Sequence, residues 1–479
     1  VIFENSVIYI TLQEAIIGQT FDLEVKKLVY GGFGLCVYQD KTILIPKVLP
    51  GEQVRTLIKR KKKKVYLGEL KEIISYPKNS PRKEASCFHF LECGGCAYQE
   101  LLYSDQLKYK KQILEEIFEN RLPIKKIVNS PSEYFYRNKC EFSFGESQFD
   151  QKLELGLHPL GRFDQVLSQK ECFLLPQLVW EVLSQIRILA RKTNLKVFND
   201  LSRTGFWSTV TIRYTDFPQK RLLVLFKIKD PQEKEFLNLC SEIKNNFVQE
   251  ISGIFAMPAP RGTLELILGE NNLKQEIDQT FFVYGIENFF QINLLVLKDF
   301  LRLIKNLVDQ LKPDFVLDLF AGVGLIGIYL AKKLPQIKYI LGAEADSEAC
   351  KIAQKNVVIN QISNYQNIYL NLYKGGWGDQ LKQIIQKEFE ARSPGKNYPE
   401  QLCLILDPPR AGITQKTIKQ ISKLIPQNII YISCNPTTQK RDCDLLKSLN
   451  YRLKDLYLVD MFPQTMHIES VALLGLEIP

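Results

Sequence analysis

Through residues 18–78 apolar and polar side chains alternate, in TFDLEVKKLVYGGFGLCVYQDKTILIPKVLPGEQVRTLIKRKKKKVYLGELKEII, with Gly-Gly and Pro-Gly pairs as punctuation. Alternation marks half-buried strands, and such pairs mark turns. The segment predicts five short strands in an OB-like β-barrel, with a turn at LPGE, 49–52. Helical spacing takes over at 104–120, SDQLKYKKQILEEIFEN, with Ser104 placed to cap it. From about 121 to 288 strand-like runs (YRNKCEFSFG, KLELGLHPLG, STVTIRYT, RLLVLFKI, GIFAMPA) enclose two amphipathic helices near 177–192 and 231–246, an α+β pattern. From 289 strands and helices alternate: FVLDLF, YILGAEA, NIYL, LCLILD and NIIYIS, each followed by a helical stretch where the next strand allows. That succession predicts an α/β, doubly wound, mostly parallel sheet. The expected domains are an N-terminal extension 1–17, the OB-like unit 18–78, a central domain 79–288 and a C-terminal domain 289–479.

Charge sharpens this picture at one place. Net charge is +10, and residues 51–83 hold eleven basic against three acidic side chains, peaking in KRKKKK at 59–64. A cationic run on an oligonucleotide-binding type of barrel suits nucleic acid, with Arg60 and Lys62 as contacts; the alternative is a solvated hairpin tip. No apolar run is long enough to span a bilayer, and VIFENSVIYITLQ lacks a basic, cleavable leader, so a cytoplasmic protein without membrane attachment is expected. Eleven cysteines with no export signal argue for metal or catalytic roles over disulfides. With three histidines only, His89, His158 and His467, any general base is expected to be a carboxylate.

Candidate chemistry gathers at strand ends in the last domain. VLDLFAGVG ends its first strand with Asp318 and the glycine pair Gly322 and Gly324, and Glu344 ends the next strand twenty-six residues beyond Asp318. Glycines let a turn approach a ligand, and a strand-end carboxylate can accept from ribose hydroxyls. No Gly-Lys-Ser/Thr follows for a triphosphate and the third dinucleotide glycine is missing, so S-adenosylmethionine fits best. LCLILDPPRAG places Asp407 at another strand end, and NIIYISCNPTTQ places Cys434 at a fifth. A thiol in that row can add to carbon 6 of a pyrimidine and make carbon 5 nucleophilic toward a methyl group. The carbon 5 proton must then leave to a base, for which Glu469, among apolar neighbours in HIESVALL, is the candidate.

Taken together, DLFAGVG, LDPPRAG, YISCNPTTQKRD and DMFPQTMHIES resemble the RNA uridine C5-methyltransferase family, which makes 5-methyluridine in 23S rRNA or tRNA. The resemblance implies Cys434 as nucleophile, Glu469 as base, and S-adenosylmethionine contacts by Gln291 of FFQIN, Phe320, Glu344 and Asp407. YGGFGLCVYQDKTILIPKVLPGEQV resembles a TRAM domain, and YRNK and GLHPLGRF match family segments that place Arg137, Lys139 and Arg162 near RNA.

Amino methylation of a purine needs no thiol, and cytosine carbon 5 enzymes tend to carry a cysteine by the Asp-Pro-Pro loop. A non-catalytic iron–sulfur RNA-binding sensor is the alternative of another class. The substrate expected is RNA, 23S rRNA ahead of tRNA, and the expected state is a monomer. Cys87, Cys93, Cys96 and the isolated Cys172 suit a cubane cluster ahead of zinc by their spacing. The resemblance implies a 4Fe–4S cluster on those four.

Overall fold

The computed structural model describes residues 16–147, 150–169, 171–395, 398 and 400–477. The extension expected over 1–17 lies outside the described residues except for Ile16 and Ile17. Among the described residues two compact units emerge: one comprises 16–91 with Cys96–Ile113 and Gln464–His467, the other Glu92–Gly95, Leu114–Pro463 and 468–477.

The first unit is built on six strands, one more than expected: β1 (Thr20–Glu24), β2 (Lys27–Val29), β3 (Phe33–Tyr38), β4 (Lys41–Pro46), β5 (Gln53–Lys62) and β6 (Val65–Ser75). They form one sheet in the order β1-β5-β6-β4-β3-β2, and LPGE turns the chain from β4 to β5. The short β2 beside the Gly-Gly turn is the extra strand; three residues give too little alternation to read. Alternate residues Val25, Cys36, Ile43, Ile45, Val54 and Ile58 fill its core. The basic run occupies the tip of the β5–β6 hairpin, and residues 59–64 are all exposed. Helix α1 (Tyr103–Ile117) begins one residue before its expected cap, so Ser104 lies within the first turn.

In the second unit, β7 (Lys126–Val128) is followed by β8 (Lys139–Glu146), β9 (Leu153–Gly156), α2 (Gln177–Lys192), β10 (Trp207–Thr215), β11 (Arg221–Ile228), α3 (Lys234–Asn246), β12 (Ile251–Pro258) and β13 (Glu265–Gly269). Six of these strands make a sheet, β13-β12-β11-β10-β8-β9, covered by α2 and α3 around Phe142, Val182, Ile186, Trp207, Phe226 and Phe236. A hairpin, β14 (Leu273–Ile277) and β15 (Thr280–Tyr284), then leads to α4 (Leu294–Leu311). The hairpin's Leu273, Ile277, Phe282 and Tyr284 pack into the same core as α4 and the C-terminal sheet.

That sheet has β16 (Phe315–Leu319), β17 (Tyr339–Glu344), β18 (Tyr365–Tyr369), β19 (Leu402–Leu406), β20 (Asn428–Ser433), β21 (Tyr451–Val459) and β22 (Glu469–Leu476). Its helices are α5 (Leu325–Lys333), α6 (Ser347–Asn360), α7 (Trp377–Arg392), α8 (Gln415–Leu424) and α9 (Pro436–Lys447). The strand order is β18-β17-β16-β19-β20-β22-β21-β7. The first five are parallel, and β22 runs antiparallel between β20 and β21. This is the doubly wound α/β sheet expected, with β7 borrowed from far upstream at its edge. The strand order reverses between β16 and β19, and the crevice at such a switch point is where open α/β sheets bind ligands. Among the described residues no helix is long and apolar enough to cross a membrane.

Candidate functional site

The five residues of β16 are all buried, so Asp318 enters the core as part of an apolar strand and is 1% exposed. Its Oδ2 accepts the Gly327 N–H of α5 at 3.1 Å. Burial, with Asp407 and Glu344 adding negative charge, pushes its pKa up to about 8 against that one donor. Beyond the strand the chain turns through Phe320 at φ 65°, a left-handed conformation uncommon outside glycine. Gly322 (φ 55°) follows, and Gly324 (φ 82°) becomes the N-cap of α5. A Cβ built on Gly322 would meet nothing within 4 Å, so the turn leaves open space above itself.

That space opens into a small cavity lined by Phe289, Phe290, Gln291, Asp318, Phe320, Gly322 and Asp407 among others. Larger hollows on the central sheet's surface contain none of the sequence-predicted residues. Glu344, at the end of β17, holds the turn: Gly322 N–H donates to its Oε2 at 2.9 Å, and the N–H groups of Ala345 and Asp346 donate to Oε1 at 2.6 and 2.8 Å. Three of roughly four acceptor positions of the carboxylate are thereby used. Gln291 is 4% exposed and reaches the cavity from the segment before α4. Asn138 of YRNK secures that segment, donating from Nδ2 to the Gln291 carbonyl and from its backbone N–H to the Ile292 carbonyl, both at 2.9 Å.

The second part of the site lies one strand over. Ser433, the last residue of β20, pairs with Ser470 of β22, so Cys434 leaves the sheet at the end where Glu469 opens β22. Asp407 leaves the neighbouring β19 at the same edge. Glu469 is 3% exposed, and burial first, then the Asp407 charge, holds it well above the usual carboxylate range. Asp407 is raised by desolvation too. Burial and the Glu469 charge push the Cys434 thiol up to about 12, while Arg410 works against them. The three groups together can hold and move protons over a short span.

Residues of the TTQKRD stretch fix this edge. Gln439 donates from Nε2 to the Tyr431 carbonyl (2.7 Å) and accepts at Oε1 from the Ser470 hydroxyl (2.7 Å), joining the strands under Cys434 and Glu469. Asp442 Oδ2 accepts from Ile413 N–H (2.8 Å) and the Tyr431 hydroxyl (2.6 Å). Asn435 and Thr438 donate to the Arg410 carbonyl at 3.0 and 3.2 Å. The Asp-Pro-Pro-Arg loop is thereby tied to the start of α9. Sequence reasoning singled out neither Gln439 nor Asp442 nor Asn138; their partners are remote in the chain, and only their place inside quoted motifs pointed to them.

The remaining sequence-predicted residues are dispersed. Arg60 and Lys62 are at the hairpin tip of the first unit. Arg137 and Lys139 flank Asn138, and burial lowers the Lys139 pKa to about 8. Arg162 lies on an exposed loop, paired with Asp164 at 3.2 Å. Cys87 and Cys96 belong to the first unit, Cys93 and Cys172 to the second. Gln99 donates to Cys96 Sγ at 3.2 Å, and Gln169 and Gly95 N–H donate to Cys93 Sγ at 3.3 Å. Among the described residues no group of three or more His, Cys, Asp or Glu side chains stands ready to hold a metal ion.

The crystal structure of Pyrococcus abyssi tRNA (uracil-54, C5)-methyltransferase in complex with S-adenosyl-L-homocysteine shares this fold, with a TM-score of 0.71 at 23% identity over 95% of this chain and all of that one. An uncharacterized RNA methyltransferase of Bacteroides thetaiotaomicron is 30% identical over 470 residues, 93% of this chain and 99% of that protein. Another, from Aquifex aeolicus, is 31% identical over 460 residues, 94% and 97% of the two chains. A family model described as tRNA (Uracil-5-)-methyltransferase matches residues 102–476, a span that holds the cavity, the Asp407 loop and the Cys434–Glu469 pair. The chain belongs to this family of RNA-methylating enzymes.

Proposed function

We propose that the protein methylates carbon 5 of uridine in structured RNA, acting as a monomer with S-adenosylmethionine as donor. The observation that carries this reading is that the β20–β22 register brings Cys434, just past Ser433, and Glu469, first residue of β22, to one sheet end, each feeling the charge of Asp407 in the cavity wall. Gln291, Asp318, Phe320, Gly322 and Asp407, with Gly324 and Glu344 shaping the turn, are the residues that would hold the cofactor. The open space over Gly322 and the acidic strand ends fit it. When bound, S-adenosylmethionine supplies an electrophilic methyl group on a positively charged sulfur.

Cys434 gives up its proton to solvent and its Sγ adds to carbon 6 of the uracil ring. The carbon 5–carbon 6 π pair moves onto the ring as an enolate, which makes carbon 5 the nucleophile to which the donor's methyl group would pass, the methyl–sulfur bonding pair staying on sulfur. Glu469 then removes the carbon 5 proton, the electron pair restores the double bond, and the thiolate leaves from carbon 6. Desolvation of Glu469 strengthens it as a base.

Incubation with S-adenosylmethionine and RNA containing 5-fluorouridine tests the scheme. Fluorine cannot be removed as a proton, so a covalent protein–RNA adduct is expected to persist. Cys434→Ala should form none. Glu469→Gln should form it while methylating ordinary RNA at least a hundredfold more slowly, the scale of a lost general base. A Cys434→Ala enzyme that still yields 5-methyluridine would end the proposal.

We favour 23S rRNA as substrate, because the N-terminal sheet reads as a TRAM-type, OB-like RNA-binding domain with Arg60 and Lys62 exposed at its tip. Arg137, Lys139 and Arg162 are the RNA contacts proposed in the second unit. tRNA is the second reading, since the family description and the solved relative are both named for it. Mapping 5-methyluridine in both RNAs with and without the protein separates them. A 4Fe–4S cluster on Cys87, Cys93, Cys96 and Cys172 is part of the proposal. It rests on their sequence spacing and on the N–H···S donors within each unit, of the kind that tune cluster thiolates.

A further inference from the structure

The chain just before Arg137 carries an exposed aromatic ring, Phe135, at the edge of a small aromatic cluster. Tyr134, Phe135 and Phe173 form a closed triplet with ring centroids 6.4, 6.1 and 6.2 Å apart. Phe135 is 53% exposed, while Tyr134 and Phe173 are half-buried beside it. Phe135 also sits at φ 56°, a conformation in which a bulky side chain is an outlier. Such outliers persist where the surroundings hold them, and they concentrate at ligand sites.

The surroundings here do hold it. Phe135 N–H donates to the Phe173 carbonyl and Arg137 N–H to the Leu174 carbonyl, both at 2.8 Å. The Ser132 hydroxyl donates to the Tyr134 carbonyl at 2.9 Å and the Ser130 hydroxyl to the Ser132 carbonyl at 2.7 Å. Asn293 Nδ2, in turn, donates to Ser130 Oγ at 3.0 Å. The same chain continues into Asn138, bonded to Gln291 and Ile292 at the cavity. The rings of Tyr134 and Phe135 therefore stand three to four residues from Asn138, which is bonded to the cavity wall, and Arg137 between them and Lys139 just beyond supply positive charge.

We propose that Tyr134, Phe135 and Phe173 form a stacking platform for an unpaired nucleobase of the substrate RNA next to the target uridine. The inference rests on the uridine reading above. Turning a uridine out of its stack costs the neighbouring bases their partner, and an aromatic surface offers a replacement that tolerates any base. The adjacent cations match the phosphates that such a strand carries along, which a purely apolar protein partner would not require.

The probe is a single-stranded oligoribonucleotide with one 5-fluorouridine flanked by 2-aminopurine, whose fluorescence falls on stacking. The wild type is expected to quench it. Phe135→Leu combined with Phe173→Leu should lose the quenching and bind about tenfold more weakly, the scale of one lost stacked base. S-adenosylhomocysteine affinity should stay unchanged, which shows the fold intact, and Phe135→Tyr should keep the quenching. Leucine variants that quench and bind like wild type overturn the platform. So does a change of self-association in sedimentation with RNA affinity unaltered, which would make the patch a contact between copies. Wild-type protein that forms the covalent adduct without quenching sinks the platform alone, whereas absence of any adduct with fluorouridine-substituted rRNA and tRNA sinks the uridine reading as well.

Discussion

A carboxyl group taken out of water is costly unless it is neutral or well bonded. Asp318 accepts at Oδ2 from the Gly327 N–H, and burial raises its pKa to about 8. The folded value lies above the ordinary aspartate value of about 3.9. Between those two the folded state binds the proton more than the unfolded state does, so stability falls as pH rises through that window. Glu469 and Asp407 are raised as well and act in the same direction. The melting temperature of the cofactor-free enzyme is therefore expected to fall from about pH 5 to about pH 8. Asp318→Asn, which keeps an acceptor for Gly327, should flatten that fall and gain stability at the alkaline end while weakening S-adenosylhomocysteine binding. Calorimetric melts across the range decide it; a wild-type melting temperature that climbs over the interval would remove these carboxyls from the account.

At the scale of elements, the active edge depends on α9 holding two strands and a loop in register. Gln439→Leu removes the donor to the Tyr431 carbonyl and the acceptor of the Ser470 hydroxyl at once. Each buried polar group left stranded costs about 1–3 kcal/mol. The variant is expected to melt lower and to lose at least tenfold in kcat with little change in KM for S-adenosylmethionine, because the strands under Cys434 and Glu469 lose their tie while the cavity wall does not. Ser470→Ala, which removes one hydroxyl, should fall between. Wild-type kcat in Gln439→Leu would show that the tie is structural only.

The strands of this edge were readable because each is a short apolar run ending in a chemically distinct residue: Asp318, Glu344, Asp407, Cys434. Pairing was not readable. Nothing near Glu469 says that β22 inserts antiparallel between β20 and β21, which alone brings it to the sheet end where the chain carries the thiol. The hairpin at 273–284 read as part of the central domain, yet its apolar face completes the C-terminal core, because alternation shows that a face is buried and not against what. Short β2 and β7 left no pattern of their own.

For the molecule as a whole the governing quantity is charge. Of the net +10, residues 51–83 account for +8 in the difference between eleven basic and three acidic side chains. The β5–β6 hairpin, which carries eight of those basic residues, keeps part of that charge for itself: Lys59 pairs with Glu69 at 3.1 Å, and Lys61 lies 5.6 Å from the Tyr66 ring centre. Arg60 and Lys62 alternate with Lys61 along β5 and point to its other face, exposed. Each phosphate neutralised by such a side chain contributes about 0.7–0.9 to the slope of log affinity against log salt. Arg60→Ala with Lys62→Ala should therefore lower the salt slope of RNA binding by about 1.5 and weaken binding evenly across sequences, without altering the yield of fluorouridine adduct at saturating RNA. The aromatic variants should do the reverse, lowering affinity by a similar factor at constant slope, because stacking releases no counterions. Titrations at four salt concentrations separate the two, and an unchanged slope in the doubly substituted hairpin would mean that this cationic tip is solvated surface and that RNA is held elsewhere.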